Sequence, residues 1–155
     1  MFGAEQSPAP DDTKTIILVR HAERVSPDGD NALSEKGRER AQALARVLRD
    51  NDVRQIYISE MIRTRETAEP FAVLKGLKPE VVSTKQLDVL VEKLRQTPAG
   101  GVVLAVHHGG TIAQIVEKLG GGKIAPVQEN EFDRLIVLTI PAQGKARVLT
   151  LRYGS

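Results

Sequence analysis

The sequence predicts an α/β protein, a three-layer α/β/α sandwich around a mostly parallel sheet with an antiparallel edge. Three observations favour this class. Short β-rich runs alternate with stretches of helical periodicity through most of the chain. The run 102–106 is apolar on both faces, which is typical of a central strand covered by helices. The last two strand-like runs, 134–140 and 146–152, are separated by a short turn and therefore predict a hairpin.

The elements of the first half have clear boundaries. A strand is predicted at 15–19, followed by a loop at 25–31 that contains Pro27 and Gly29. A helix then begins with Ser34 as its N-cap and ends near Asp50. Its predicted buried stripe has the helical spacing of one face, with arginines on the other side, and consists of Ala41, Leu44, Ala45 and Leu48.

A second set of elements follows with the same alternation. The run 55–58 predicts a strand, and a helix should extend from Met61 to Lys75 with Gly76 ending it. Pro70 should either kink this helix or start a new one. The remaining elements are predicted as a weak strand at 81–82, a helix at 87–95, the central strand at 102–106 and a helix at 111–119.

Length and composition favour one domain without unusual partners. The 155 residues suit a single domain at 14–155, preceded by a flexible tail at 1–13 that carries no basic residue. The 22 basic and 20 acidic side chains give a net charge of +2, and aromatic residues make up 3%. Neither a nucleic-acid surface nor a membrane surface is expected from these values.

The absence of cysteine limits the chemistry further. Disulfides, thiolate metal sites and cysteine nucleophiles are all excluded. Localisation stays open, because the chain suits the cytoplasm and would equally suit export if a signal peptide had been removed.

Arg20 and His21 directly follow the first predicted strand. Open α/β sheets place their chemistry at the carboxyl ends of strands. An arginine there can bind a phosphate or carboxylate through its planar fork of donors, and the neighbouring histidine is held by a stiff strand. The pair therefore suggests phosphoryl chemistry.

His107, His108, Gly109 and Gly110 follow the central strand in the same way. All three histidines of the chain thus lie at two strand ends, which should meet at one edge if the strands are close in a parallel sheet. Glycine allows a ligand to approach the backbone closely, and the helix that follows offers unpaired N–H groups to an anion.

Arg63 completes the pattern from a third strand end. It belongs to the stretch Ser59 to Ala68 and should lie in the first turn of the helix after strand 55–58, where it can reach the same anion. For Arg65 and Glu66, an exposed helix face is the better interpretation.

These three motifs resemble, in order and spacing, the histidine phosphatase superfamily, also called phosphoglycerate mutase-like. The motifs are Arg20-His21-Ala22-Glu23, Ser59 to Ala68 with Arg63 and Thr67, and His108-Gly109. The resemblance covers most of the chain, including the helix start at Leu33-Ser34 with Gly37. Because lid insertions are lacking, the chain is most similar to the short branch that contains bacterial phosphohistidine phosphatases.

The resemblance implies a role for each motif. His21 is the implied nucleophile, which carries the phosphoryl group as phosphohistidine, while Arg20, Arg63, His108 and Gly109 are the implied substrate-binding residues. Phosphoryl transfer relies on cationic donors placed around three equatorial oxygens. We expect an unprotonated His21 and a protonated His108, hence opposed pKa shifts. His107 is interpreted as a supporting or surface residue.

One departure concerns the proton donor. The family usually has a glutamate near the position where this chain reads 82–87 without a carboxylate. Asp88 is the nearest candidate and Glu23 the second; Glu60, Glu131 and Asp133 are further carboxylates without a predicted position. Without a general acid, we expect a bias toward phosphohistidine-like or activated esters.

The leading hypothesis is therefore a metal-independent phosphatase without a cofactor. Its substrate is expected to be a phosphorylated small molecule or a phosphoprotein. A mutase with the same chemistry and a phosphate- or phosphopeptide-binding module with little turnover remain alternatives. A metal site built from the histidines ranks low, because no carboxylate lies at ligand spacing in residues 107–110.

Overall fold

The computed structural model describes residues 12–154, and the predicted tail, residues 1–13, lies almost wholly outside them. The described chain forms a six-stranded sheet with helices on both faces. The elements in chain order are β1 (Lys14–Arg20), α1 (Glu35–Leu48), β2 (Gln55–Ile58), α2 (Ile62–Lys75), β3 (Glu80–Val81), α3 (Leu87–Arg95), β4 (Val102–His107), α4 (Ile112–Lys118), β5 (Arg134–Ile140) and β6 (Arg147–Arg152).

The sheet is mixed, with its parallel part in the centre. The strand order is β3-β2-β4-β1-β5-β6. Strands β3, β2, β4 and β1 are parallel, while β5 runs antiparallel to β1 and β6 antiparallel to β5. This confirms the predicted fold class and the predicted antiparallel edge.

Two apolar clusters fill the spaces on either side of the sheet. Strand β1 divides its side chains between them, since Ile17 packs toward α1 and α2, whereas Ile16 packs toward α3 and α4. In β4, Leu104 packs on the same side as Ile17 and Val103 on the same side as Ile16. Central strands that are buried on both faces explain the continuous apolar runs in the sequence.

Helix ends follow the local signals in the sequence. Ser34 caps α1 by accepting a hydrogen bond from the Gly37 amide at 3.1 Å. Gly76 ends α2 in the left-handed conformation, with φ of 67°. The helix runs without interruption through Pro70, so that residue does not start a new helix.

Arg40 contradicts the predicted amphipathic pattern of α1. Its side chain is buried rather than exposed with the other arginines. The guanidinium donates two hydrogen bonds to the Glu23 carboxylate, at 2.8 and 2.9 Å, and one to the backbone oxygen of Tyr153. The ion pair and the carbonyl compensate for the burial of the charge. Helix α1 is thereby tied to the loop after β1 and to the chain after β6.

Gly37 is required where α1 meets the backbone after β1. A Cβ atom at this position would lie 1.9 Å from the carbonyl oxygen of Glu23. Glycine to alanine in a helix normally gains about 1 kcal/mol, but here the clash is with backbone that cannot move aside. We expect Gly37→Ala to lower the free energy of unfolding by about 3 kcal/mol, measured by urea denaturation. The exposed Glu39→Ala on the same helix is the control, and an unchanged midpoint for Gly37→Ala would contradict the close approach.

The described residues contain no helix long and apolar enough to cross a membrane.

Candidate active site

A cavity of about 330 Å³ opens at the carboxyl ends of β1 and β4. The register pairs Arg20 with His107, so the residues that follow each strand come together at this edge. The cavity combines cationic, imidazole and backbone donors. Its lining consists of Arg20, His21, Arg24, Arg63, His108, Gly109, Gly110, Val127, Gln128 and Glu129.

His21 is held as a neutral imidazole. Its Nδ1 lies 2.8 Å from the backbone oxygen of Ala22, and because a carbonyl only accepts, Nδ1 must carry the proton. Burial, reinforced by the nearby Arg20 and Arg63, lowers the pKa of His21 to about 4. The second ring nitrogen, Nε2, is therefore left with its lone pair at neutral pH.

Thr67 fixes the backbone beside this histidine. Its fully buried hydroxyl accepts a hydrogen bond from the Ala22 amide at 2.8 Å and donates one to the Arg63 carbonyl at 2.7 Å. One side chain of α2 thus ties the loop after β1 to the helix turn that carries Arg63. The motif from Ser59 to Ala68 thereby supports His21 and supplies a cation.

His108 lies beside His21, with ring centroids 5.4 Å apart. Its Nε2 is 2.9 Å from the hydroxyl of Ser59, a buried residue at the end of β2. Burial, with His107, His21 and Arg63 as neighbours, lowers the pKa of His108 to about 3. The expected opposed shifts of the two histidines are therefore wrong, because burial, reinforced by two imidazoles and an arginine nearby, disfavours the protonated form of His108.

His107 is buried rather than at the surface. Its Nδ1 is hydrogen-bonded to the Thr111 hydroxyl, and its ring centroid is 5.0 Å from that of His108. Burial lowers the pKa of His107 to about 4. His107 does not line the cavity, and its ring packs edge-to-face against the ring of His108.

The three depressed pKa values predict acid instability. Unfolded histidines titrate near pKa 6.5, so between about pH 6.5 and pH 5 the unfolded state binds protons that the folded state does not. The free energy of unfolding should fall in this window by about 1 kcal/mol per pH unit for each buried histidine. Urea unfolding at several pH values measures it. His107→Asn should flatten the slope, and a constant free energy in the wild type would contradict the burial of these rings.

Arg20 lines the cavity and also binds the backbone of the loop between α4 and β5. Nη1 donates to the backbone oxygens of Gln128, Glu129 and Glu131, at 3.1, 2.8 and 3.0 Å. The guanidinium also stacks on Phe132, 4.1 Å from the ring centroid. Its Nε is buried without a hydrogen-bond partner, and a Cβ at Gly109 would approach that atom to 3.2 Å. Glycine at 109 thus leaves room for the arginine.

Arg63 enters the cavity from the first turn of α2, as the sequence predicts. Its side chain is 15% exposed and Nη1 lies 3.9 Å from Oδ1 of Asp30. Burial and the nearby Arg24 lower the pKa of Arg63, although an arginine stays charged in proteins. Nε of Arg63 is a second buried donor without a partner. Unpaired buried donors and clustered cations favour an anionic ligand.

Arg24 and the segment 127–129 are cavity residues that the sequence motifs do not contain. Arg24 lines the cavity and donates from Nη1 to the backbone oxygen of Gly29 at 2.8 Å. Its position four residues beyond Arg20, which places it beside the predicted pocket, is the sequence signal for it. The segment 127–129 has no regular structure and no motif, so nothing in the sequence indicates its contact with Arg20.

The two carboxylates predicted as proton donors are not placed for that role. Glu23 is bound to Arg40; burial tends to raise its pKa, but the hydrogen bonds from Arg40 and the backbone outweigh burial and lower it. Asp88 lies in the first turn of α3 with a 90% exposed side chain, and its Oδ1 is 3.3 Å from Nζ of Lys118. Neither residue lines the cavity. The sequence could not show this, because the ion pairs that hold Glu23 and Asp88 form only in the folded protein.

Glu66 also differs from the expected exposed helix face. Its carboxylate accepts a hydrogen bond from the Leu33 amide at 2.8 Å and is partly shielded, whereas Arg65 is exposed as expected.

Within residues 12–154, no group of three or more histidine, aspartate or glutamate residues is arranged to hold a metal ion.

Fold and site together define an α/β protein with a histidine- and arginine-lined anion pocket at the carboxyl edge of its sheet. The profile of the histidine phosphatase superfamily (branch 1) matches residues 16–88. This match confirms, over residues 16–88, the resemblance carried by the sequence motifs. No curated protein matches the sequence.

Solved structures share the fold over nearly the whole chain. The protein histidine phosphatase SixA complexed with tungstate matches with a TM-score of 0.71 and 16% identity, covering 89% of this chain and 96% of that one. A phosphoglycerate mutase from Bacillus anthracis str. Sterne has a TM-score of 0.67 and 20% identity, covering 92% and 94%. A mycobacterial glucosyl-3-phosphoglycerate phosphatase with VO3 has 0.65 and 19%, covering 88% and 96%. Identities this low indicate the shared fold alone.

Proposed function

We propose that this protein is a metal-independent phosphatase that hydrolyses a phosphomonoester or a phosphoramidate through phosphohistidine at His21. The observation that carries the proposal is the state of His21. The ring is neutral, Nδ1 is committed to the Ala22 carbonyl, and Nε2 retains its lone pair beside Arg20 and Arg63. A nucleophile held unprotonated next to unpaired cationic donors suits attack on phosphorus.

The reaction has two steps. Nε2 of His21 forms a bond to phosphorus while the bond from phosphorus to the leaving oxygen or nitrogen breaks. Water then attacks the phosphohistidine, the P–N bond breaks, and inorganic phosphate leaves. Arg20, Arg63 and His108 would hold the three equatorial oxygens through both steps. Two structural neighbours, a protein histidine phosphatase and a glucosyl-3-phosphoglycerate phosphatase, support this proposal over a purely binding role.

A mutase is the second candidate, since a phosphoglycerate mutase shares the fold. A mutase must keep its intermediate away from water. Within residues 12–154, the loops that line the cavity contribute Arg24 on one side and residues 127–129 on the other. Such limited cover favours hydrolysis.

Labelling the wild-type protein with an excess of a 32P-labelled aryl phosphate tests the proposal. After an alkaline detergent quench, which preserves phosphohistidine, the label should be found on the protein and then be released as phosphate. Turnover should persist in EDTA and be inhibited by vanadate. Saturable phosphate binding without label or turnover would indicate a binding module, and transfer to a second hydroxyl much faster than release would indicate a mutase.

A further inference from the structure

The proposed reaction needs a proton for the leaving group, and the cavity wall contains one carboxylate that could supply it. Among the described residues that line the cavity, only Glu129 is acidic. It lies in the loop between α4 and β5, beyond the second histidine motif in the chain. The stretch 82–87, where a glutamate is usual in the family, contributes none.

We propose that Glu129 is the general acid for the leaving group and the general base for water in the second step. The proposal rests on the phosphatase function proposed above. It follows from three features of Glu129, which are its place in the cavity wall, its unpaired carboxylate and its tether to Arg20.

The neighbouring carboxylates are all engaged elsewhere. Each accepts hydrogen bonds or forms an ion pair that fixes its position: Glu23 with Arg40, Asp30 with the Ile62 amide, Glu60 with the amide and hydroxyl of Thr84, and Glu131 with Arg134 and Arg152. Within residues 12–154, the Glu129 carboxylate accepts no hydrogen bond and forms no ion pair. It is therefore available to a ligand.

The backbone at Glu129 is fixed relative to the nucleophile. Its carbonyl accepts a hydrogen bond of 2.8 Å from Nη1 of Arg20, the residue that precedes His21. Burial and Arg24 lower the pKa of Arg20, and the charge of Glu129 partly offsets this, which places the carboxylate within electrostatic range of the guanidinium.

A second anchor holds the same loop from the sheet side. The Glu131 carboxylate binds Arg134 at 2.7 Å and also contacts Arg152 and the Gln128 amide. Hydrogen bonds from Arg134 are the main cause that lowers the pKa of Glu131 to about 2, so this anchor stays ionised. Because the loop is held at both sides, the backbone of Glu129 has a fixed position in the wall of the cavity.

The proton balance is complete with this one residue. As the bond from phosphorus to the leaving oxygen breaks, the carboxyl group of Glu129 gives its proton to that oxygen. In the second step the resulting carboxylate accepts a proton from the attacking water, which restores the acid.

This assignment changes the expected substrate range. General acid catalysis contributes roughly 10² to 10⁴ in rate, and poor leaving groups need it most. With Glu129 in this role, unactivated alkyl phosphates become substrates alongside phosphoramidates and aryl esters. The expected bias toward activated esters would then disappear.

The test measures kcat/KM for p-nitrophenyl phosphate, an aryl phosphate series and an alkyl phosphate. Glu129→Gln should lower kcat/KM for the alkyl ester by about 10²-fold or more while changing that for p-nitrophenyl phosphate by less than about threefold. The dependence of kcat/KM on leaving-group pKa across the series should become steeper. The exposed Glu117→Gln on α4 is the matched control and should behave as wild type.

Glu60→Gln separates the proposal from its nearest competitor, because the charge of Glu60 acts on both His108 and Arg63. A leaving-group-dependent loss in this variant instead of Glu129→Gln would overturn the proposal. So would equal losses for both esters in Glu129→Gln, no loss at all, or a wild type active on aryl but not on alkyl phosphates. If the wild type hydrolyses no ester and takes up no label, the phosphatase function itself fails.

Discussion

His21→Asn is expected to abolish phosphoenzyme formation and to lower kcat for p-nitrophenyl phosphate by roughly 10⁴-fold or more. The amide of asparagine can still donate to the Ala22 carbonyl, so the loop after β1 keeps its hydrogen bond. What the variant lacks is the lone pair at Nε2, and with it the covalent step. The measurements are steady-state turnover and 32P incorporation after an alkaline quench.

His107→Asn is the control for this prediction, since His107 is equally buried but does not line the cavity. It should lose stability because the Thr111 contact changes, yet still become labelled. Urea unfolding of both variants separates loss of fold from loss of the nucleophile. A folded His21→Asn protein that is labelled at the wild-type rate would show that another group attacks phosphorus.

Local signals were sufficient to predict the elements of the fold. The apolar run before His107 predicts a strand buried on both faces, and β4 lies in the middle of the sheet. Ser34 and Gly76 mark helix ends because capping depends on neighbours three or four residues away. Such short-range chemistry is fully present in the sequence.

Long-range ion pairs could not be predicted in the same way. The helical pattern predicts an exposed Arg40. The prediction fails because its partners, Glu23 and Tyr153, come from the loop after β1 and from the end of the chain. The same pairing removes Glu23 from the list of proton donors. A charge is buried only when tertiary structure brings the opposite charge to it. The spacing of apolar residues along a helix does not reveal such a tertiary ion pair.

The candidate site divides along the same line. Arg20, His21, Arg63 and His108 could be located because the carboxyl ends of neighbouring parallel strands share one edge. The lowered pKa of His108 could not be predicted, because it depends on the burial of its ring and on the neighbouring His107, His21 and Arg63. Glu129 could not be located either, because an irregular loop has no period that fixes its path.

Arg63→Met is expected to lower kcat/KM by about 10³-fold, the loss typical of removing a cationic donor from a phosphoryl-transfer site. Methionine keeps most of the length and the apolar contacts of the side chain but removes the charge and the fork of donors. Arg65→Met is a matched control two residues along the same helix, where the side chain is exposed. It should change kcat/KM by less than about twofold, because exposed charges are screened.

Arg63→Lys distinguishes the two ways in which Arg63 could act. A lysine restores the charge but lacks the planar fork that binds two oxygens at once. If charge alone stabilises the transition state, Arg63→Lys should recover most of the activity and of the inhibition by vanadate. If Arg63 must hold two oxygens at once, the kcat/KM of Arg63→Lys should remain close to that of Arg63→Met. Equal effects of Arg63→Met and Arg65→Met would mean that the general positive field, rather than a positioned donor, supports the reaction, because of these two arginines only Arg63 has a buried Nε without a hydrogen-bond partner.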